Sequence, residues 1–284
     1  MKEGDTSTLE GSFVVPDGGH IAYRVEGVKS VGPPLLLIRP LGGSMDLWGS
    51  FRSLLAMQYR VIAYDLRGTG RSSADPGWVG TRALADDALL LLDHLDVDRA
   101  YVFGLSLGGM IAMWLAATAP SRVAKLCLAS APARGLVLTH AGLLRELSLA
   151  ACLLRPIEDV EACLVERILS RRFRAARPRA ASTIDAKLHG LAASTPRASA
   201  SRLSLLRHAF AAIRHDARSV LGRIEAPTLV LAGDEDGMLG VEAPQQLARG
   251  IPNAMFETIR EAGHDVTLEQ PSVTAARVAL FLSA

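Results

Sequence analysis

The chain is short of the residues that would commit it to a specialised class. Aromatic side chains make up 5% of its 284 residues, and no basic strand or finger is interleaved with them, so nothing suggests a nucleic-acid partner. The formal net charge of +2 singles out no partner. Three cysteines, Cys127, Cys152 and Cys163, cannot all pair and lack metal-ligand spacing. Cys127 lies in an apolar run and reads as a core residue. No metal and no cofactor is expected. No uncharged apolar run reaches the roughly 18–20 residues that span a bilayer. The longest candidate, near residues 136–154, is broken by His140, Arg145 and Glu146. The polar opening Met1-Lys2-Glu3-Gly4-Asp5-Thr6 has no apolar stretch of the secretory kind. A cytoplasmic protein with no membrane partner is the expectation.

What the chain has in quantity is apolar. Such residues are 49% of the sequence and mean hydropathy is +0.23, and a chain of this size buries roughly three quarters of its unfolded surface. Strand-like runs at 12–15 and 21–25 flank Pro16-Asp17-Gly18-Gly19, a good hairpin turn. Runs at 35–38, 61–64, 101–103, 126–129, 228–231 and 254–259 follow. The first five are continuous rather than alternating, as in strands covered on both faces. Helical stretches at 45–57, 81–94, 107–119 and 242–249 lie among them. That alternation predicts an α/β fold: a mostly parallel sheet flanked by helices, fed by an antiparallel start.

Residues 134–216 interrupt the rhythm with no strand-like run, and they are too many for a structureless loop. Pro156, Glu158, Asp159 and Glu161 lead, Val160, Leu164 and Ile168 recur at i, i+4 and i+8, and Arg171, Arg172 and Arg174 close the segment. Acids before bases is the order that the helix dipole prefers. Ile184, Leu188 and Leu191 form a second stripe. Thr195-Pro196 opens a third helix, with Leu203, Leu206, Phe210 and Ile213 on one face. We expect a helical cap at 134–216 over a core made of 1–133 and 217–284. Residues 134–223 hold 16 Lys+Arg and 7 Asp+Glu, against 15 and 22 elsewhere. An arginine-rich solvated surface accounts for this; the sharper reading is a lid that attracts an anionic substrate.

One stretch points to chemistry. Ala100-Tyr101-Val102-Phe103-Gly104-Leu105-Ser106-Leu107-Gly108-Gly109 runs an apolar strand into a serine with glycine two residues before and after it, and an apolar helix follows. Strand, sharp turn and helix are the context that gives G-x-S-x-G its meaning. Side chains at the flanking positions would clash across such a turn, and glycine removes them. The turn presents the Ser106 hydroxyl above a helix N-terminus, where negative charge is favoured. An incidental serine in a glycine-rich turn is the plainer reading, and the flanking strand and helix argue against it.

A serine hydroxyl needs a base, itself oriented by a third group, and histidine has the suitable pKa. Of seven histidines, His20 lies in the first hairpin, His94 near a helix end, and His140, His189, His208 and His215 in the insertion. His264, in Glu261-Ala262-Gly263-His264-Asp265, follows the last strand and faces the carboxyl edge of the sheet, where open α/β sheets bind ligands. After residues 126–129 no carboxylate comes before Glu146. After 228–232 three come together, Asp234, Glu235 and Asp236, and any of them is placed to be the orienting acid.

Four pieces in order resemble the serine α/β-hydrolases of the esterase, lactonase and haloperoxidase-like type. They are Gly104-Leu105-Ser106-Leu107-Gly108, Asp65-Leu66-Arg67-Gly68-Thr69-Gly70-Arg71-Ser72, Pro227 through Asp236, and Gly263-His264 with Leu268-Glu269-Gln270-Pro271. The resemblance implies an α/β-hydrolase fold and a triad of Ser106, His264 and Asp236, with Asp234 tying down its loop and Asp65 a turn residue. It implies an oxyanion hole from the backbone N–H groups of Leu41 and Leu107. Where this family usually has His-Gly, the chain has Arg39-Pro40. Arg39 then either forms a local salt bridge or meets a substrate carboxylate. The implied substrate is a small-molecule ester, lactone or related carbonyl compound, anionic ones included. C–C bond hydrolysis, haloperoxidase or perhydrolase chemistry, and a non-catalytic receptor on the same scaffold are the alternatives.

Overall fold

The continuous apolar runs form the middle of an eight-stranded sheet. The computed structural model describes residues 8–27, 32–75, 77–135, 151, 163, 168–176 and 202–284. Its strands are β1 (Leu9–Val14), β2 (His20–Glu26), β3 (Leu35–Ile38), β4 (Val61–Tyr64), β5 (Ala100–Leu105), β6 (Val123–Ala129), β7 (Thr228–Gly233) and β8 (Ala254–Ile259), arranged β1-β2-β4-β3-β5-β6-β7-β8. β1 pairs with β2 and β2 with β4 antiparallel, and every other pairing is parallel. All residues of β3, β4 and β7 are buried, which is why these strands show no polar alternation.

The helices, numbered along the chain among the described residues, are α1 (Gly49–Ala56), α2 (Thr81–His94), α3 (Leu107–Thr118), α4 (Arg171–Ala176), α5 (Arg202–Ile213), α6 (Glu242–Gly250), α7 (Val266–Glu269) and α8 (Pro271–Ser283). α2, α3 and α6 cover one face of the sheet. α1 and α8 cover the other, where Trp48, Phe51 and Phe103 meet at ring separations of 4.9–5.7 Å. The single helix expected over 45–57 is divided. Ser44 caps a 3₁₀ turn over Met45–Trp48, and Gly49, at φ 48°, breaks the run before α1.

The chain leaves and rejoins the sheet at one point. Arg134 and Asp216 form an isolated antiparallel bridge, flanked by hydrogen bonds from Gly135 N to His215 O and from Ala217 N to Ala133 O. Pro156, Glu158, Asp159, Val160, Glu161, Leu164, Ile184, Leu188, Leu191, Thr195 and Pro196 lie outside the described residues.

α5 corrects one expectation. Leu203 and Ile213 are 48% and 40% exposed, whereas Ser204, Leu205, His208, Ala209 and Ala211 are buried. The buried stripe is the neighbouring one because its small residues allow a close approach. Leu205 reaches the space a side chain at Gly42 would take, and Ala209 packs on Leu41. Phe210 instead meets Trp78 edge-on at 5.2 Å, beside the ion pair of Arg207 and Asp75. Cys163 is disulfide-bonded, and Cys127 is free and buried. Among the described residues no helix is long and apolar enough to cross a membrane.

The aromatic cluster under α1 should dominate local stability. Phe103→Ala is expected to lower the unfolding free energy by about 3–5 kcal/mol, read by urea denaturation. A loss under about 1 kcal/mol would show that the cavity collapses and that the cluster matters little.

Candidate active site

The apolar strand β5 and the wholly apolar start of α3 leave one residue to make the turn between them. Ser106 adopts φ 54° and ψ −116°, a left-handed backbone that L-residues avoid. Its N–H donates to Ala129 O at 2.8 Å and its carbonyl accepts from Met110 N at 3.0 Å. A Cβ on Gly108 would lie 2.0 Å from Ile38 O, and one on Gly104 would lie 2.4 Å from Gly108 O. Both glycines are therefore obligatory, and they press the N-terminus of α3 against the end of β3.

At this edge the structure brings three of the expected side chains together. Ser106 Oγ is 2.9 Å from His264 Nε2, and His264 Nδ1 is 2.9 Å from Asp236 Oδ2. The second oxygen of Asp236 accepts from Met238 N and Leu239 N at 2.8 and 3.0 Å. A carboxylate held by two amides and one imidazole has a single orientation, and it aims at Nδ1. A proton on Nδ1 then leaves Nε2 free to accept from the serine hydroxyl. Asp234 is the acid that fastens the loop, at 3.4 Å from Ala262 N.

Electrostatics follow from burial and charge together. Burial works against the imidazolium of His264, yet the carboxylate of Asp236, with Asp265 and Glu269 behind it, leaves the pKa above the ordinary 6.5. For Asp236 burial acts upward, while the His264 ring and the two amides hold the carboxyl below its usual range. Each group is poised to favour the charged form of the other.

Leu107 is the first residue of α3, so its N–H has no partner within the helix and points from the positive end of the dipole. Leu41 follows β3 in the loop that packs beside it. Asp65 fixes that loop: its oxygens accept from Met45 N at 2.6 Å and from Arg71 N at 2.7 Å. Its role is structural. Arg39 is buried, with its guanidinium carbon 4.7 Å from the Trp48 ring centre. Its Nε and Nη1 are sealed from solvent and find no hydrogen-bond partner among the described residues. Among the described residues Arg39 forms no salt bridge, so the first of its two expected roles is not met there.

The other histidines lie elsewhere. His20 meets Ser73 and His94 meets Tyr23 at the surface hairpin. His208 and His215 are pushed down to about 4 by burial, and His215 contacts Thr81. His140 and His189 lie outside the described residues. Sequence reasoning gave no role to Ser170 or Glu269, which meet behind the His264 turn. The signal for Glu269 was its place in Leu268-Glu269-Gln270-Pro271, one of the family-like pieces, which carried no role of its own.

Residues 33–271 match the family model described as the alpha/beta hydrolase fold. The chain belongs to the alpha/beta hydrolase family. It is 32% identical to 3-oxoadipate enol-lactonase 2 of Acinetobacter baylyi over 84% of each chain. It is 30% identical to RutD, a proposed carbamate hydrolase of Pseudomonas syringae, over 88% of this chain and 94% of that one. Among solved structures, a hydrolase from Pseudomonas aeruginosa superposes over the whole of both chains with a TM-score of 0.80 and 32% identity. The family match and these relatives support an enzyme of the alpha/beta hydrolase type.

The charge balance at His264 has a direct readout. Its imidazole should titrate above 6.5 by NMR of the ring protons. Asp236→Asn removes the main opposing charge, leaves burial in control, and should move that pKa below 6.5. An unmoved titration would show that Asp236 does not set the base.

Proposed function

We propose that this alpha/beta hydrolase is a serine hydrolase that cleaves a carboxylic ester or lactone of a small molecule. The observation that carries the reading is the pair of 2.9 Å contacts running from Ser106 Oγ through His264 to Asp236. His264 Nε2 takes the hydroxyl proton as Ser106 Oγ attacks the carbonyl carbon. The N–H groups of Leu41 and Leu107 hold the tetrahedral oxyanion. His264 then gives its proton to the leaving oxygen and an acyl-enzyme forms. Water enters, loses a proton to His264, and breaks the acyl bond, releasing acid and restoring the serine. Asp236 keeps the proton on Nδ1 and stabilises the imidazolium.

The similarity to an enol-lactonase and to a proposed carbamate hydrolase supports a small acyl substrate with a heteroatom leaving group. Residues 134–216 are proposed as a cap whose α5 walls the oxyanion loop through Leu205 and Ala209. The proposed setting is the cytoplasm.

A fluorophosphonate probe should label Ser106, located by peptide mass spectrometry. Ser106→Ala should abolish both labelling and hydrolysis of p-nitrophenyl acetate while the circular dichroism spectrum stays unchanged. Full activity in that variant would refute the nucleophile; a wild-type protein that neither labels nor turns over would be a receptor.

A further inference from the structure

Against the Gly263-His264 turn lies a buried carboxylate that the mechanism above does not use. Glu269 is 4% exposed. One of its oxygens accepts from Gly263 N at 2.9 Å and the other from Ser170 N and Ser170 Oγ, at 3.1 and 2.5 Å. Ser170 Oγ in turn accepts from Phe173 N at 3.0 Å. The next amide along, His264 N, donates to Ile168 O at 2.8 Å. At the rim Arg172 pairs with Glu261 at 2.8 Å. The inserted segment 168–173 and Glu269 therefore satisfy the backbone on both residues of the Gly263-His264 turn. The fit is close: a Cβ on Gly263 would lie within 2.7–2.8 Å of Glu269 Oε1, Ser170 N and Ile168 O.

We infer that Glu269 and Ser170 are positioning residues that clasp the Gly263-His264 turn and aim the imidazole at Ser106. The inference rests on the serine-hydrolase reading above. A carboxylate suits this place for two reasons. It accepts from three donors at once, where an amide of the same shape must turn its NH2 towards one of them. It also adds negative charge behind the base: the carboxylates facing His264 are Asp236 from the β7 loop, Asp265 beside it, and Glu269. Arg39, from the β3 loop, lies in the field of the same Asp265. Glu269 itself is shifted upward by burial, against the donors that hold it.

The test compares Glu269→Gln and Ser170→Ala with wild type, using p-nitrophenyl acetate across pH and fluorophosphonate labelling of Ser106. Glu269→Gln should lower kcat about 10–100-fold, the effect of losing charge-assisted hydrogen bonds, with KM within about twofold. Activity needs neutral His264 and falls as pH drops through its pKa, so loss of the Glu269 charge should move this acid limb to lower pH. Ser170→Ala keeps the charge; it should lower kcat about 3–10-fold and leave the acid limb in place. Wild-type kcat in both variants, or a loss of thermal stability with kcat and acid limb unmoved, would overturn the inference. If Glu269→Gln fails to fold, Ser170→Ala decides alone: a fall in kcat at constant KM supports the clasp and wild-type kcat overturns it. Labelling separates the two claims. A wild-type protein that does not label overturns the serine mechanism and this inference with it; a labelled wild type with unaltered variants overturns the clasp alone.

Discussion

Ser106 holds a backbone that a lone L-residue would leave at once, and its neighbours deny it any alternative. Such strain costs on the order of 1–3 kcal/mol. It is offset because the two elements it joins are both buried. β5 lies in the middle of the sheet, and Leu107, Met110, Ile111 and Met113 of α3 are buried. Each such side chain contributes about 1.5–3 kcal/mol, so two of them outweigh the turn. The strain is local and the compensation is spread over the core. The buried core thus holds the serine in this backbone at the edge of the sheet.

The same edge collects the other two groups because of strand direction. β5, β7 and β8 run parallel, so the loops that follow them open on one side, and those loops bear Ser106, Asp236 and His264. Parallel order brings the groups near; the loops' own hydrogen bonds aim them. Asp236 is held by Met238 N and Leu239 N, and its loop by the contact of Asp234 with Ala262 N. At His264, burial is the largest single influence on the pKa, yet the net direction is upward. The carboxylates therefore win only in sum. A base built this way is sensitive to each acid around it, including those that never approach the substrate.

Legibility tracked the range of the interactions. The strands and the G-x-S-x-G turn were visible because their causes are local: two buried faces erase polar alternation, and a tight turn demands glycine at fixed spacing. The choice of Asp236 among three neighbouring acids needed the family resemblance, since composition treats Asp234, Glu235 and Asp236 alike. The face of α5 was misjudged because periodicity marks apolar residues, whereas the closest packing came from Ser204, Ala209 and Ala211 beside Leu205. The contact of Ser170 with Glu269 spans 99 positions, and nothing in either neighbourhood announces the other.

Arg39 and Glu269 show how differently buried charge is managed on the two sides of the site. Glu269 has a donor for each oxygen, so its burial is compensated by hydrogen bonds. Arg39 has none for Nε or Nη1, and burial lowers its pKa, the costly arrangement for a cation. What opposes that cost is longer-ranged: Asp65 and Asp265 both act on it. Asp65 holds the loop that carries Leu41, through Met45 N. Asp265 caps α7 directly after His264, accepting from Leu268 N and Thr267 Oγ1. One cation thus serves as counter-charge to an acid on the oxyanion side and an acid on the imidazole side.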